Sequence, residues 1–336
     1  MAPVVSSSEL APISVVTGAS GFLATELIKQ LLSKGHNVRG TVRDPAASAK
    51  TAHLRALGDA LPGTLTLVAA DLSVPGSFDN AVDGATYVFH VATPADFESK
   101  DPQREIVDAA VEGTRNVFGS VEKSRRTVQK VVITSSIVAV YNLFGSPTNR
   151  VFTEADWNEE SKPDAGGLES YAVSKVLAER VATELADKAG VGLVHINPSW
   201  ILGPVTPPIG VGFSVQTILK TLFEGGADLP QPAIALKVDV RDVALAHIRG
   251  AEIPSAKGRY IISHETTTSV RTLTNILKKR FPGLKFGDGE DFPPQRVVDT
   301  SKARKELGLQ LIPLEESLVD AALTEFQLGI ATPQRV

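Results

Sequence analysis

The chain reads as an α/β protein, a Rossmann-type doubly wound parallel sheet with a smaller, mostly C-terminal substrate lobe. Three observations lead there. Short β-branched, apolar runs alternate with longer segments whose apolar residues recur at helical spacing. The first of these runs ends in a glycine turn, Gly18-Ala19-Ser20-Gly21, that opens directly into a helical pattern. After Asn197 the alternation loosens, and residues 198–236 hold six prolines and five glycines.

Ile13–Thr17 is the first strand. Phe22–Ser33 follows as a helix, with Leu23, Leu27 and Leu31 on one face and Lys34-Gly35 as its stop. Val38–Val42, Leu65–Ala69 and Tyr87–Ala92 are the second, third and fourth strands, and residues 103–124 form a long helix. Val128–Ser135, apolar almost throughout, is a fifth strand buried on both faces. Leu168–Ala189 is a helix and Gly192–Asn197 a sixth strand; strands so separated by helices pair in parallel. Later come a helix at Arg241–Ala251, a strand at Arg259–Ser263, and helices at Thr272–Phe281 and Ser301–Leu307. The expected division is a tail over 1–12, a dinucleotide-binding domain over 13–197 to which 233–264 partly return, and a substrate lobe from 198–232 and 265–336.

A net charge of −4 and 21% charged residues argue against nucleic-acid binding and against disorder. The absence of cysteine excludes disulfides, thiolate metal sites and a cysteine nucleophile, and the six histidines show no metal spacing. No apolar run reaches the roughly 18 residues of a membrane helix. Residues 1–12 lack the pattern of a signal peptide, and Pro198 disqualifies Asn197-Pro198-Ser199 as a glycosylation site. These readings lead to the expectation of a cytosolic protein, a monomer or a homodimer.

The glycine turn carries the first piece of chemistry. Gly18 permits the tight turn, Gly21 lets backbone approach a pyrophosphate, and Ala24 allows close helix–sheet packing. The helix N-terminus at Ser20, Phe22 and Leu23 offers N–H groups and a positive dipole end to phosphates. At the end of the second strand, Arg43 presents a planar donor fork suited to a 2′-phosphate and Lys50 adds a second cation. Asp44 is the alternative, as a ribose acceptor. The balance favours NADPH. Asp71-Leu72 after the third strand is placed against adenine, and Val91-Ala92-Thr93 against the central ribose.

Tyr171 and Lys175 lie one turn apart on one helix face, where an ammonium lowers the pKa of a phenol, about 10 when unperturbed, toward working range. Thr134-Ser135-Ser136 ends the fifth strand with hydroxyls suited to a carbonyl oxygen. Pro198 and Ser199 end the sixth, where backbone can hold a nicotinamide carboxamide, although Pro198 also reads as a strand terminator. His90 reads as a satisfied core histidine and Asn116 as a backbone pin. Tyr141 is either an aromatic over the substrate or a packed loop residue. From Ser199 to Val240 there is no arginine, and Trp200 and Phe213 are among many apolar side chains, so an apolar or aromatic substrate fits better than a nucleotide sugar.

Together these residues resemble the extended short-chain dehydrogenases/reductases, closest to dihydroflavonol, anthocyanidin and cinnamoyl-CoA reductases and related fungal ketone reductases. The strings are VTGASGFLA (16–24), TVRDP (41–45), FHVATPADFESKDP (89–102), ITSSIVAVY (133–141), YAVSK (171–175), VDVRDVALAHI (238–248) and SKARKELGLQ (301–310). The resemblance implies Ser136, Tyr171 and Lys175 as a catalytic triad, and it is what selects Ser136 over Ser135. It also implies Arg43 and Lys50 on the 2′-phosphate, and Gly18, Gly21, Asp71, Thr93 and Pro198 as cofactor contacts. The expected function is NADPH-dependent reduction of an aldehyde or ketone, with Tyr171 as proton donor. The alternatives are an NAD-retaining nucleotide-sugar epimerase or dehydratase and a non-catalytic dinucleotide-binding protein. Dihydroflavonol reductases carry a ring-recognising asparagine where this chain has Tyr141, and cinnamoyl-CoA reductases an NWYCYGK-like string where it has Glu169-Ser170-YAVSK. Neither specialised substrate is therefore implied.

Overall fold

The computed structural model describes residues 11–94, 97, 99–145, 150–205, 215, 219, 222, 236–288, 291 and 296–329. Its strands are β1 (Ile13–Val16), β2 (Asn37–Val42), β3 (Thr64–Ala69), β4 (Tyr87–His90), β5 (Lys130–Thr134), β6 (Val151–Phe152), β7 (Gly192–Pro198), β8 (Trp200–Leu202), β9 (Lys237–Asp239), β10 (Gly258–Ile262) and β11 (Val297–Val298). Seven of them form one sheet in the order β10-β7-β5-β4-β1-β2-β3. Every pairing in it is parallel, with Val16 opposite both Gly40 and Phe89. This is the doubly wound sheet the sequence predicts.

Alternate strand residues feed opposite cores, as the two-residue period requires. Val16, Val132 and Val194 pack with α1 (Phe22–Ser33), through Leu23, Leu27 and Leu31, and with the helix over Val240–Glu252. Val15, Val131 and Ile133 pack on the other face with α4 (Ala109–Lys123) and α5 (Gly167–Ala189). The shorter α2 (Ser48–Ala60) and α3 (Asp79–Val82) follow β2 and β3. Numbering the Val240–Glu252 helix α6, the later helices with described bounds are α7 (Val270–Arg280), α8 (Ser301–Glu306) and α9 (Leu314–Gln327). A third apolar cluster joins Trp200 and Leu202 of β8 to Leu273 and Leu277 of α7 and Leu318 and Ala321 of α9.

Several boundaries differ from the sequence expectation for local reasons. β4 stops at His90 because the next two amides, of Val91 and Ala92, turn away and donate to Thr17 Oγ1, each at 3.0 Å. The helix expected over 103–124 begins as a π-helical turn, Gln103–Asp108, before continuing as α4. Apolar spacing does not separate the two winding modes. α7 starts at Val270 because Ser269 caps it, its side chain accepting from Thr272 N.

Candidate active site

Parallel pairing brings the carboxyl ends of β1, β4, β5 and β7 to one edge, where the first turn is built from backbone. Gly18 has φ +65°, and a Cβ there would sit 3.0 Å from that of Ala92. Only glycine combines that left-handed conformation with so close an approach. Its N–H donates to Thr41 Oγ1 at 3.3 Å, and Gly21 N donates to Gly18 O at 2.9 Å. Gly21 is the N-cap of α1 and brings no side-chain hydrogen bond. The first-turn amides at Phe22 and Leu23 thus have no side-chain cap and border the cleft. Thr17 locks this turn to β4, accepting from Val91 and Ala92 and hydrogen-bonding His90 Nδ1 at 3.1 Å. Burial, reinforced by the Lys175 charge, drops the His90 pKa to about 3, so the ring is neutral.

A cleft of about 1460 Å³ runs along this edge. Its lining includes Gly18, Ser20, Gly21, Phe22, Leu23, Arg43, Asp71, Leu72, Val91, Ala92 and Thr93, and it reaches Thr134 at the end of β5. Arg43 is exposed and makes no ion pair with a described residue. Asp44 is outside the lining; its carboxylate accepts from Ala46 N at 2.8 Å and shapes the turn into α2. Lys50 is an exposed residue of the first turn of α2 and is also outside the lining. Asp71 Oδ1 accepts from Ser73 N and Oγ, bonds that hold its carboxyl below the usual range. Asn116 Nδ2 donates to Leu72 O at 2.6 Å, so it pins the loop after β3.

Beyond Thr134 lie Ser136, Tyr171 and Lys175. The Ser136 side chain, whose Oγ accepts from Val138 N at 3.4 Å, faces the Tyr171 phenol. Burial pushes the Tyr171 phenol up to about 12, the reverse of the lowering expected from Lys175, with the Ser136 side chain opposing the rise, so the hydroxyl keeps its proton at neutral pH. Lys175 is 4% exposed; its Nζ donates to Thr134 O at 3.0 Å and lies 5.3 Å from the Tyr171 ring centroid. Burial lowers its pKa to about 8, with Glu179 opposing the drop. The far side of Thr134 is fixed by His247. Its Nδ1 faces Val243 O at 2.7 Å and must donate there, so Nε2 accepts the Thr134 hydroxyl at 2.7 Å.

The other expected site residues fall differently. Tyr141 is 1% exposed and stacked on Phe152 at 4.9 Å, the packed loop aromatic of the two readings. Pro198 ends β7, and Ser199 N donates to Ile262 O at 3.1 Å while its buried Oγ has no partner. Trp200 is 7% exposed within the third apolar cluster. Phe213 lies outside the described residues. The sequence reading missed Phe97, whose ring meets Tyr171 edge-on at 5.5 Å, and also Glu179. Phe97 lies inside one of the quoted strings and Glu179 one turn beyond Lys175, which is all the sequence shows of them.

Among the described residues no helix is long and apolar enough to cross a membrane. Residues 14–226 match the NAD dependent epimerase/dehydratase family. The chain is 39% identical to a cinnamoyl-CoA reductase of Medicago truncatula over 319 residues, 93% of this chain and 95% of that one. It is 36% identical to the dihydroflavonol 4-reductase of Arabidopsis thaliana over 326 residues, 94% of this chain and 82% of that one. Among solved structures, yeast methylglyoxal/isovaleraldehyde reductase complexed with NADPH superposes with a TM-score of 0.83 at 25% identity, covering 94% and 99% of the two chains.

Proposed function

The chain belongs to the NAD dependent epimerase/dehydratase family, and on that premise we propose that it is an NADPH-dependent reductase converting an aldehyde or ketone on an apolar or aromatic substrate to an alcohol. The observation that carries the reading is the cluster of Ser136, Tyr171 and Lys175, with the Lys175 ammonium 5.3 Å from the Tyr171 ring centroid, beyond Thr134 at the end of the glycine-turn cleft. The residues present fit the dinucleotide. Gly18 leaves a cradle that a Cβ would fill, and among the described residues Ser199 keeps a buried hydroxyl unpaired and Arg43 stands at the cleft without an ion pair.

Ser20, Gly21 and the amides of Phe22 and Leu23 hold the pyrophosphate in this proposal, and Val91, Ala92 and Thr93 the central ribose. Asp71 and Leu72 border the adenine, Pro198 and Ser199 the carboxamide. Arg43, with Lys50 on α2, takes the 2′-phosphate, while Asp44 stands outside the cleft lining rather than at the ribose. NADPH, when bound, supplies the hydride for the carbonyl carbon. Tyr171 gives its proton to the carbonyl oxygen, and Ser136 hydrogen-bonds that oxygen as charge develops on it. The Lys175 ammonium favours the phenolate left on Tyr171. Trp200 and Phe213 belong to the apolar side of the substrate region in this reading.

The test is oxidation of NADPH, and separately NADH, at 340 nm against aldehydes, α-ketoesters, aryl ketones, a dihydroflavonol and a cinnamoyl thioester. NADPH-preferring turnover of one class is expected. Tightly retained NAD with no oxidation across the panel replaces the reading with an epimerase or dehydratase. The proposal also places the protein in the cytosol as a monomer or homodimer, checked by fractionation and light scattering.

A further inference from the structure

We propose that Glu179 is a positioning residue for this site: its buried carboxylate ties Ser135-Ser136 and Asn197 to α5 and supplies the counter-charge for the Lys175 ammonium. The inference rests on the reductase reading and deepens it. Glu179 follows Lys175 by one turn on the same helix face and is 0% exposed. Oε1 accepts from Ser135 Oγ and from Asn197 Nδ2, the latter at 2.6 Å. The same Asn197 amide donates to Ser136 O at 3.1 Å. Oε2 lies 2.7 Å from Arg259 Nε in an ion pair whose side chains are 1% and 7% exposed. The Arg259 guanidinium donates in turn to Ala139 O, Glu154 O and Asp156 O, backbone that follows Ser136. One carboxylate thus gathers the ends of β5 and β7, and through Arg259 the start of β10, onto the helix that carries Tyr171 and Lys175.

A buried ion pair is weak evidence for stability, since apolar replacements often match it. Its place here points to chemistry. The groups facing Lys175 are Thr134 O from β5, the neutral His90 from β4, and Tyr171 and Glu179 from its own helix. Arg259 from β10 and His195 from β7 lie behind Glu179. Glu179 is therefore the negative group among them that offsets the burial of Lys175. With Lys175 titrating near pH 8, activity falls above that value, and removing the Glu179 charge moves the fall to lower pH.

The experiment is the pH profile of kcat with saturating NADPH for wild type, Glu179→Gln and Glu179→Asp, with the NADPH dissociation constant from fluorescence. Glu179→Gln keeps shape and an acceptor oxygen but not charge; its basic limb is expected about one pH unit lower, with NADPH affinity unchanged. Glu179→Asp keeps the charge, and its limb stays with wild type even where kcat drops. If Glu179→Gln does not fold with Arg259 left uncompensated, Glu179→Gln/Arg259→Gln is read the same way. A basic limb unmoved by loss of the charge overturns the inference, as does a wild-type profile flat through alkaline pH. Failure of wild type to oxidise NADPH with any carbonyl is the distinct outcome that removes the reductase reading itself.

Discussion

Replacing Arg43 with glutamine separates the two dinucleotides the cleft can hold. Arg43 follows β2 directly and lines the cleft, where its charge acts on the Asp71 carboxyl. Asp44 lies outside the cleft lining, with Oδ1 accepting from Ala46 N. The 2′-phosphate is the only group that distinguishes NADPH from NADH, so the Arg43 contribution falls wholly on NADPH. A charge-assisted hydrogen bond is worth about 1.5–3 kcal/mol. Arg43 is exposed, and solvent screening puts it in the lower part of that range, about 1.5–2 kcal/mol. At about 1.4 kcal/mol per tenfold, Arg43→Gln lowers kcat/KM for NADPH by roughly 10- to 30-fold and leaves that for NADH within about 2-fold. Initial rates at 340 nm with each cofactor and saturating carbonyl measure both. Equal losses with the two cofactors, or none with NADPH, refute the assignment.

Gly18→Ala forces a side chain into a left-handed conformation, costing about 1–2 kcal/mol, and sets its Cβ 3.0 Å from that of Ala92. NADPH affinity should drop by at least about tenfold, read by fluorescence titration, while Ala at the open Gly119 leaves it unchanged. Thr17→Val keeps shape but strands the Val91 and Ala92 amides, so urea unfolding should show a loss of about 2–3 kcal/mol. Burial raises the Glu325 carboxyl from 4.5 to about 7, and its Oε1 has no partner. The folded state therefore binds a proton that the unfolded chain has released, and this stabilisation is full below pH 4.5 and lost as pH rises through about 7. Glu325→Gln stays neutral throughout, so it should match wild type near pH 4.5 and exceed it by about 1–3 kcal/mol at pH 8. Identical pH dependence of unfolding in both proteins contradicts this.

The sheet was legible because its strands are short apolar runs and its first crossover opens on a glycine turn. α2 was not, since only Thr51, His53 and Leu54 are buried along it. α9 packs through Ser317, Leu318, Ala321, Ala322 and Glu325, a face too small and polar to register as an apolar stripe. Around the site, strand ends and the Tyr171–Lys175 spacing could be read directly, because both follow from local geometry. The roles of Glu179, Asn197 and His247 could not, because each depends on partners far away in sequence: Ser135 and Arg259 for Glu179, Ser136 and Glu179 for Asn197, and Thr134 for His247. Asp44 shows the same limit. Its type suits a ribose, and only the turn into α2 reveals that it stands outside the cleft lining.

The most direct measurement is kcat of Tyr171→Phe with NADPH on whichever carbonyl the wild type reduces, alongside its NADPH affinity. The substitution removes the hydroxyl that burial keeps protonated and that faces the Ser136 side chain, with little change of shape. A fall of roughly 10²- to 10⁴-fold in kcat with unchanged NADPH binding is expected of a lost proton donor. Turnover near that of wild type would contradict Tyr171 as the acid.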